Sequence, residues 1–113
     1  MASLSNPGKV AAASVTATGL VTAEAASIFI EPGRFQVQVG GGATATWKVV
    51  RTTDDVASSP TWNDIEDALG TVSNSADRTV VGFEAEGAYY NVNVTAYTSG
   101  TLTSRIAQAR RPV

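Results

Sequence analysis

From residue 15 onward apolar and polar side chains alternate with a period of two, the signature of half-buried β-strands. Val15, Ala17, Gly19 and Val21 alternate with Thr16, Thr18, Leu20 and Thr22. Residues 27–30 form a short apolar run stopped by Glu31-Pro32-Gly33, a strong turn. In 34–39, Phe35, Val37 and Val39 oppose Arg34, Gln36 and Gln38. Gly40-Gly41-Gly42 then reverses the chain into 43–52, where Ala45, Trp47, Val49 and Arg51 share a face. This pattern predicts a hairpin. The glycine triplet is no phosphate loop, because a strand follows it where such a loop needs Lys-Ser/Thr and a helix.

Residues 53–60 are polar and read as a loop. One short helix is predicted near 63–69, with Asn63 as N-cap, Glu66 at the third helical position and Gly70 as the stop. Thr79, Val81, Phe83 and Ala85 then share one side of a strand, and Gly82 within it signals a bulge or a close backbone approach. In 88–97, Tyr90, Val92, Val94 and Ala96 are placed inward and Tyr89, Asn91, Asn93 and Thr95 outward. Leu102, Ser104 and Ile106 close the series. Seven or so short strands with turns between them predict an all-β, antiparallel two-sheet β-sandwich. It spans residues 14–109, with an extended N-terminal arm at 1–13 and a basic tail at 110–113.

Glu86-Gly87-Ala88-Tyr89-Tyr90-Asn91-Val92 resembles the sixth strand of immunoglobulin-like domains, in which a tyrosine two residues before a buried position anchors the preceding corner. Tyr90 matches that tyrosine, Val92 stands where a cysteine would be, and Trp47 is placed as the core tryptophan. The resemblance implies an immunoglobulin-like topology, with a jelly roll as the alternative. The expected core is Phe35, Val37, Trp47, Phe83, Tyr90, Val92 and Val94.

Composition narrows the chemistry. The chain of 113 residues has no Cys and no His, so it offers no disulfide framework, no thiolate metal site and no histidine base. A formal net charge of −2 speaks against nucleic acid. The stretch 10–30 is too interrupted by Ser, Thr and Gly for a membrane span or a secretory h-region, despite Ala23-Glu24-Ala25. Charged residues are only 16% of the chain, so little charge need be desolvated at a contact. Asp54-Asp55 and Asp64/Glu66/Asp67 lack the spacing of a calcium loop and read as loop and cap residues. No nucleophile–base–orienter set is visible, so no enzyme, cofactor or metal is expected. Trp62 is either an exposed platform or a plug closing one end of the sandwich. Tyr89 and Tyr97 are either contact residues or parts of an ordinary outer face. Lys9, Val10, Arg110 and Arg111 lie in or beside the arms, where they could meet a partner.

Several segments together resemble the small β-sandwich virion proteins of tailed bacteriophages, especially capsid decoration (cement) proteins and head or tail accessory domains. They are Phe35-Gln36-Val37-Gln38-Val39-Gly40-Gly41-Gly42 followed by Thr46-Trp47-Lys48-Val49, then Pro60-Thr61-Trp62-Asn63-Asp64-Ile65, and the late strand from Tyr90 to Thr101. That resemblance implies a non-enzymatic protein on the capsid surface, made in the host cytoplasm and not secreted. It would bridge major capsid protein subunits, often as a trimer or hexamer, with its arms as the contact sites. A tail, neck or fibre component and a carbohydrate-binding module are the alternatives.

Overall fold

Val, Thr and aromatic residues suit a pleated, half-buried surface, and the alternation described above folds accordingly. The computed structural model describes residues 9–22, 27–67, 70–71, 73–74 and 77–109. Among these it has eleven strands and no helix. They are β1 (Lys9–Ala17), β2 (Ile28–Ile30), β3 (Gly33–Gly40), β4 (Thr44–Thr52), β5 (Asn63–Asp64), β6 (Glu66–Asp67), β7 (Gly70–Thr71), β8 (Ser73–Asn74), β9 (Arg78–Glu84), β10 (Ala88–Ser99) and β11 (Leu102–Ala109). A front sheet runs β1-β11-β3-β9. A back sheet runs β2-β10-β4, with β5 and β8 both on the free edge of β4.

The sandwich is as expected, and the strand order decides its topology. Between β1 and β11 the chain changes sheets at every connection except those inside 52–74. In an immunoglobulin-like domain the last two strands are neighbours in one sheet. Here β10 lies in the back sheet, while β11 crosses to the front and inserts between β1 and β3. The fold is the jelly roll. The Gly40-Gly41-Gly42 turn is corrected with it: β3 and β4 do not pair, and the triplet carries the chain across the gap between sheets. A Cβ on Gly41 would lie 2.4 Å from the Thr101 carbonyl oxygen, so the β3–β4 and β10–β11 crossings run backbone against backbone.

The core fills the space between the sheets. Phe35, Val37 and Val39 of β3, Val80 of β9 and Leu102 and Ile106 of β11 face Ile30, Ala45, Trp47, Val49, Tyr90, Val92 and Val94 of the back sheet. Trp47, 1% exposed, is the largest of these. Of the expected core residues, Phe83 alone is misplaced. It is 69% exposed, because β9 buries Val80 and Glu84 and turns Val81 and Phe83 to solvent. Gly82 is directly opposite Phe35, whose ring occupies the space a side chain would take. That is the close approach the glycine signalled.

Two further expectations change. The helix near 63–69 is absent over its described part, and residues 68 and 69 lie outside the described residues. β5 and β8 act instead as two pieces of one edge strand on β4, interrupted by the β6–β7 hairpin. The Ile65 amide donates to the Val49 carbonyl at 3.1 Å, Ile65 packs on the core, and Lys48 pairs with Asp64 at 2.9 Å. An isolated two-turn helix is marginal, whereas an open strand edge offers ready hydrogen bonds. The arm is also shorter than expected. Lys9 to Ala13 belong to β1 and pair along β11, while residues 1–8 and 110–113 lie outside the described residues.

Gly82→Ala should destabilise the fold by about 1–3 kcal/mol, because its Cβ would sit 2.6 Å from the Phe35 ring. Urea unfolding of Gly82→Ala, Phe35→Leu and the double variant checks this. The double variant should lose less than the two single losses combined.

Candidate functional site

One buried charge stands out. Glu84 ends β9 on the core side, 1% exposed, a position that a carboxylate tolerates only when paired and hydrogen-bonded. Its Oε1 accepts from Arg51 Nε at 2.8 Å and from the Tyr90 hydroxyl at 2.7 Å. Its Oε2 accepts from Arg51 Nη2 at 2.8 Å and from the Glu86 and Gly87 amides at 2.9 Å each. The paired Arg51 guanidinium, with help from the Tyr90 hydroxyl and the two amides, outweighs burial and holds this carboxyl down at about 2. Arg51 is correspondingly raised, and burial together with the neighbouring carboxylate raises the Tyr90 hydroxyl. A carboxylate with five donors and a depressed pKa is a poor proton acceptor. Its work is structural. It ties the front-sheet β9 to the back-sheet β4 and β10 across the β9–β10 corner. Tyr90 therefore anchors that corner as the sequence suggested, but through the Glu84 side chain.

At the same end Gln108, 4% exposed, does for the β2–β3 crossing what Glu84 does for its corner. Its Nε2 donates to the Glu31 carbonyl at 2.6 Å, and its Oε1 accepts from the Glu31 amide at 3.0 Å. The side-chain amide thus stands in for a strand partner.

The accessible features lie on the outer faces. On the back sheet Phe29 of β2 and Tyr89 of β10 are directly paired, with ring centroids 5.3 Å apart in an edge-on arrangement. Phe29 is 45% exposed, and its ring lies close over Gly87, where a Cβ would approach it to 2.9 Å. On the front sheet an open groove of about 370 Å³ is lined by Arg34, Gln36, Gln38, Val81, Arg105 and Ala107. Register sets these residues in ranks across β9, β3 and β11: Phe83–Arg34, Val81–Gln36–Ala107 and Thr79–Gln38–Arg105.

The sequence-predicted contact residues are scattered. Tyr89 is half-buried in the back-sheet pair with Phe29. Tyr97 turns inward. Thr95 is an extra residue in β10, so the register shifts between Val94 and Ala96. Beyond that bulge parity reverses, leaving Ala96 exposed and Tyr97 packed against the core, its hydroxyl bonded to the Gly100 carbonyl. Trp62 is half-buried in the loop before β5. Lys9 and Val10 open β1, and Arg110 and Arg111 fall outside the described residues. The acidic residues serve loops and edges: Asp54 accepts from the Thr61 amide, Asp55 from the Ala57 amide, and Asp64 pairs with Lys48. Glu84, Arg51 and Gln108 were missed as a set. The signal available was an acidic residue just before Gly87 and Tyr90, and Arg51 on the inward side of β4.

No protein family and no curated protein sequence matches this chain. Among solved structures it is similar to IMPa from Pseudomonas aeruginosa, described in complex with an O-glycopeptide, at 18% identity and a TM-score of 0.52. The match covers 93% of this chain but only 13% of IMPa, so the likeness is one of fold. Lesser similarity links it to the SPBc2 prophage-derived protein YomS, at 12% identity and TM-score 0.46 over 86% of this chain and 92% of that one. A family two carbohydrate esterase from Cellvibrio japonicus follows at 13% identity and TM-score 0.41, covering 88% of this chain and 28% of the esterase. One neighbour is thus prophage-derived.

The Glu84 cluster sets a pH window. Because its folded pKa of about 2 lies below the ordinary 4.5, its stabilisation is present above about pH 5 and fades as pH falls toward 2. The loss should be on the order of 3 kcal/mol in urea unfolding. Tyr90, raised in the fold, adds stability that is full below pH 10 and is lost as pH rises further. Glu84→Gln should remove the acid limb and cost about 3 kcal/mol at pH 7, since Arg51 then loses its buried counter-charge and keeps only the exposed Glu86 carboxylate at 3.9 Å. Tyr90→Phe should cost about 1 kcal/mol.

Proposed function

We propose that this chain is a non-enzymatic structural protein of a bacteriophage virion, a capsid decoration (cement) protein that binds the outer capsid surface and bridges major capsid subunits. The observation that carries this reading is the Phe29–Tyr89 pair. Two aromatic rings sit directly opposite on a hydrogen-bonded strand pair, partly exposed and locked edge-on over Gly87. Rigid aromatic residues lose little side-chain freedom on contact and dominate the energetics of protein interfaces. Low charge and the sequence resemblance to phage head proteins support the same conclusion. The one carboxylate buried among the described residues, Glu84, is fully engaged, which makes it a poor candidate acid or base. Repetition of a modest contact over many capsid sites, or through a trimer or hexamer of this chain, would raise the overall affinity without further chemistry.

Purified chain mixed with empty phage shells should co-sediment with them. Phe29→Ala/Tyr89→Ala should weaken that binding by about tenfold or more, with little change in melting temperature. Co-sedimentation with isolated tails and not with shells would move the assignment to a tail, neck or fibre component. A chain left in the supernatant by both at saturating concentration overturns the virion reading.

A further inference from the structure

We propose that the outer face of the front sheet is a binding site for an acidic glycan, a chain of sugar units bearing carboxylate groups. This inference does not depend on the virion reading, and it concerns the opposite side of the molecule from Phe29 and Tyr89.

The groove is built by register. Along β3, Arg34, Gln36 and Gln38 point outward in succession, each flanked by a β9 residue, and the last two also by a β11 residue. The central rank is Ala107–Gln36–Val81, and the short Ala107 side chain leaves the depression in the face. Val81 is 53% exposed and supplies an apolar wall. A second depression shares Gln38 and Arg105 with the first and reaches Thr79 and Thr103, so the trough extends along the face. Arg34 and Gln38, four residues apart on β3, stand about 13 Å apart along the strand. Such a trough suits a chain lying on it and does not enclose a small molecule.

Charge selects the ligand. The molecule is acidic overall, yet Arg34 and Arg105 face this groove and form no ion pair among the described residues. Guanidinium groups hold carboxylates through paired N–H donors in one plane. Asp77 and Arg78 lie beyond Gln38 in the second depression, so the ligand's acid groups belong at the Arg34–Arg105 stretch.

Hydrogen bonding separates a glycan from a peptide. β3 is paired on both sides, to β11 and β9, and β11 likewise to β1 and β3. Their backbone groups are committed to the ladders, and the one open edge beside the groove, that of β9, points sideways out of the sheet, so a peptide lying on this face would find no partners on its floor for its own amides and carbonyls. Sugar hydroxyls both donate and accept. They match Gln36 and Gln38, whose amides present one donor group and one acceptor each, while the C–H side of a pyranose can rest on Val81.

The test is affinity electrophoresis and calorimetry of the intact chain with polygalacturonate, dextran and poly-L-glutamate. Polygalacturonate should bind and weaken as salt rises. Arg34→Ala/Arg105→Ala should reduce that binding at least tenfold without changing the melting temperature or shell co-sedimentation. Arg105→Lys should weaken it as well, because a lysine cannot make the paired contact. Gln36→Ala/Gln38→Ala should weaken polygalacturonate binding while both arginines remain. No binding to polygalacturonate overturns the proposal. So does equal binding to dextran or to poly-L-glutamate, or binding that survives loss of both arginines.

Discussion

The buried Glu84 carboxylate is the constraint on which the rest of this jelly roll depends. It sits where the chain leaves the front sheet for the back one, and it accepts from β4, from β10 and from the corner between them. A charge buried this deeply is tolerable only when every lone pair is used, so its five donors must be in place together. That fixes the register of β9 relative to two strands of the opposite sheet. It also fixes which way β9 faces. With Glu84 inside, period-two geometry puts Val80 and Gly82 inside and sends Val81 and Phe83 out. The apolar side of the front-sheet groove is therefore a consequence of an ion pair on the opposite face of the same strand.

Much of the fold was legible because its strands obey simple alternation. The faces of β3, β4 and β11 follow directly from Phe35/Val37/Val39, Ala45/Trp47/Val49 and Leu102/Ser104/Ile106. Where reading failed, a local rule was overridden by a long-range partner. β9 reads inside-out because Phe83 is apolar and Glu84 is charged, and nothing local announces that Arg51 waits across the sandwich. Asn63 to Glu66 carries a helix-start signature, but β4 has an open edge beside it. Tyr97 reads as outward until the extra residue at Thr95 is counted, and a bulge leaves no mark in period-two bookkeeping.

Topology was the harder step, for a reason of geometry. A glycine turn between two alternating strands is written in the same way whether the strands pair or cross to opposite sheets. Gly41 carries the distinction in its surroundings: its Cα lies against the Thr101 carbonyl, where only a neighbouring crossing could bring it. Tyr90 likewise does not distinguish the two: it matches an immunoglobulin corner tyrosine, yet here its hydroxyl fastens the jelly-roll strand that enters the second sheet. The site residues were partly visible. Arg34, Gln36 and Gln38 stand out as the polar side of β3, but their importance comes from β11, whose insertion beside β3 places Arg105 and Ala107 on the same face.

That insertion is what gives the molecule two different sides. β11 could have stayed beside β10, and the front sheet would then lack Arg105 and the low point at Ala107. By crossing over, it adds Arg105 and the low point at Ala107 to a face that also carries exposed Val81 and Phe83, while the Phe29–Tyr89 pair lies on the other sheet. The cross-braces at Glu84 and Gln108 hold both corners of that end through side chains that cannot be removed singly without stranding a partner. A body braced in this way keeps its two faces at a fixed separation and orientation. A contact made through Phe29 and Tyr89 therefore presents Arg34, Gln36, Gln38 and Arg105 away from the contacted surface, and a protein seated on a particle by its back sheet carries its front groove toward solvent.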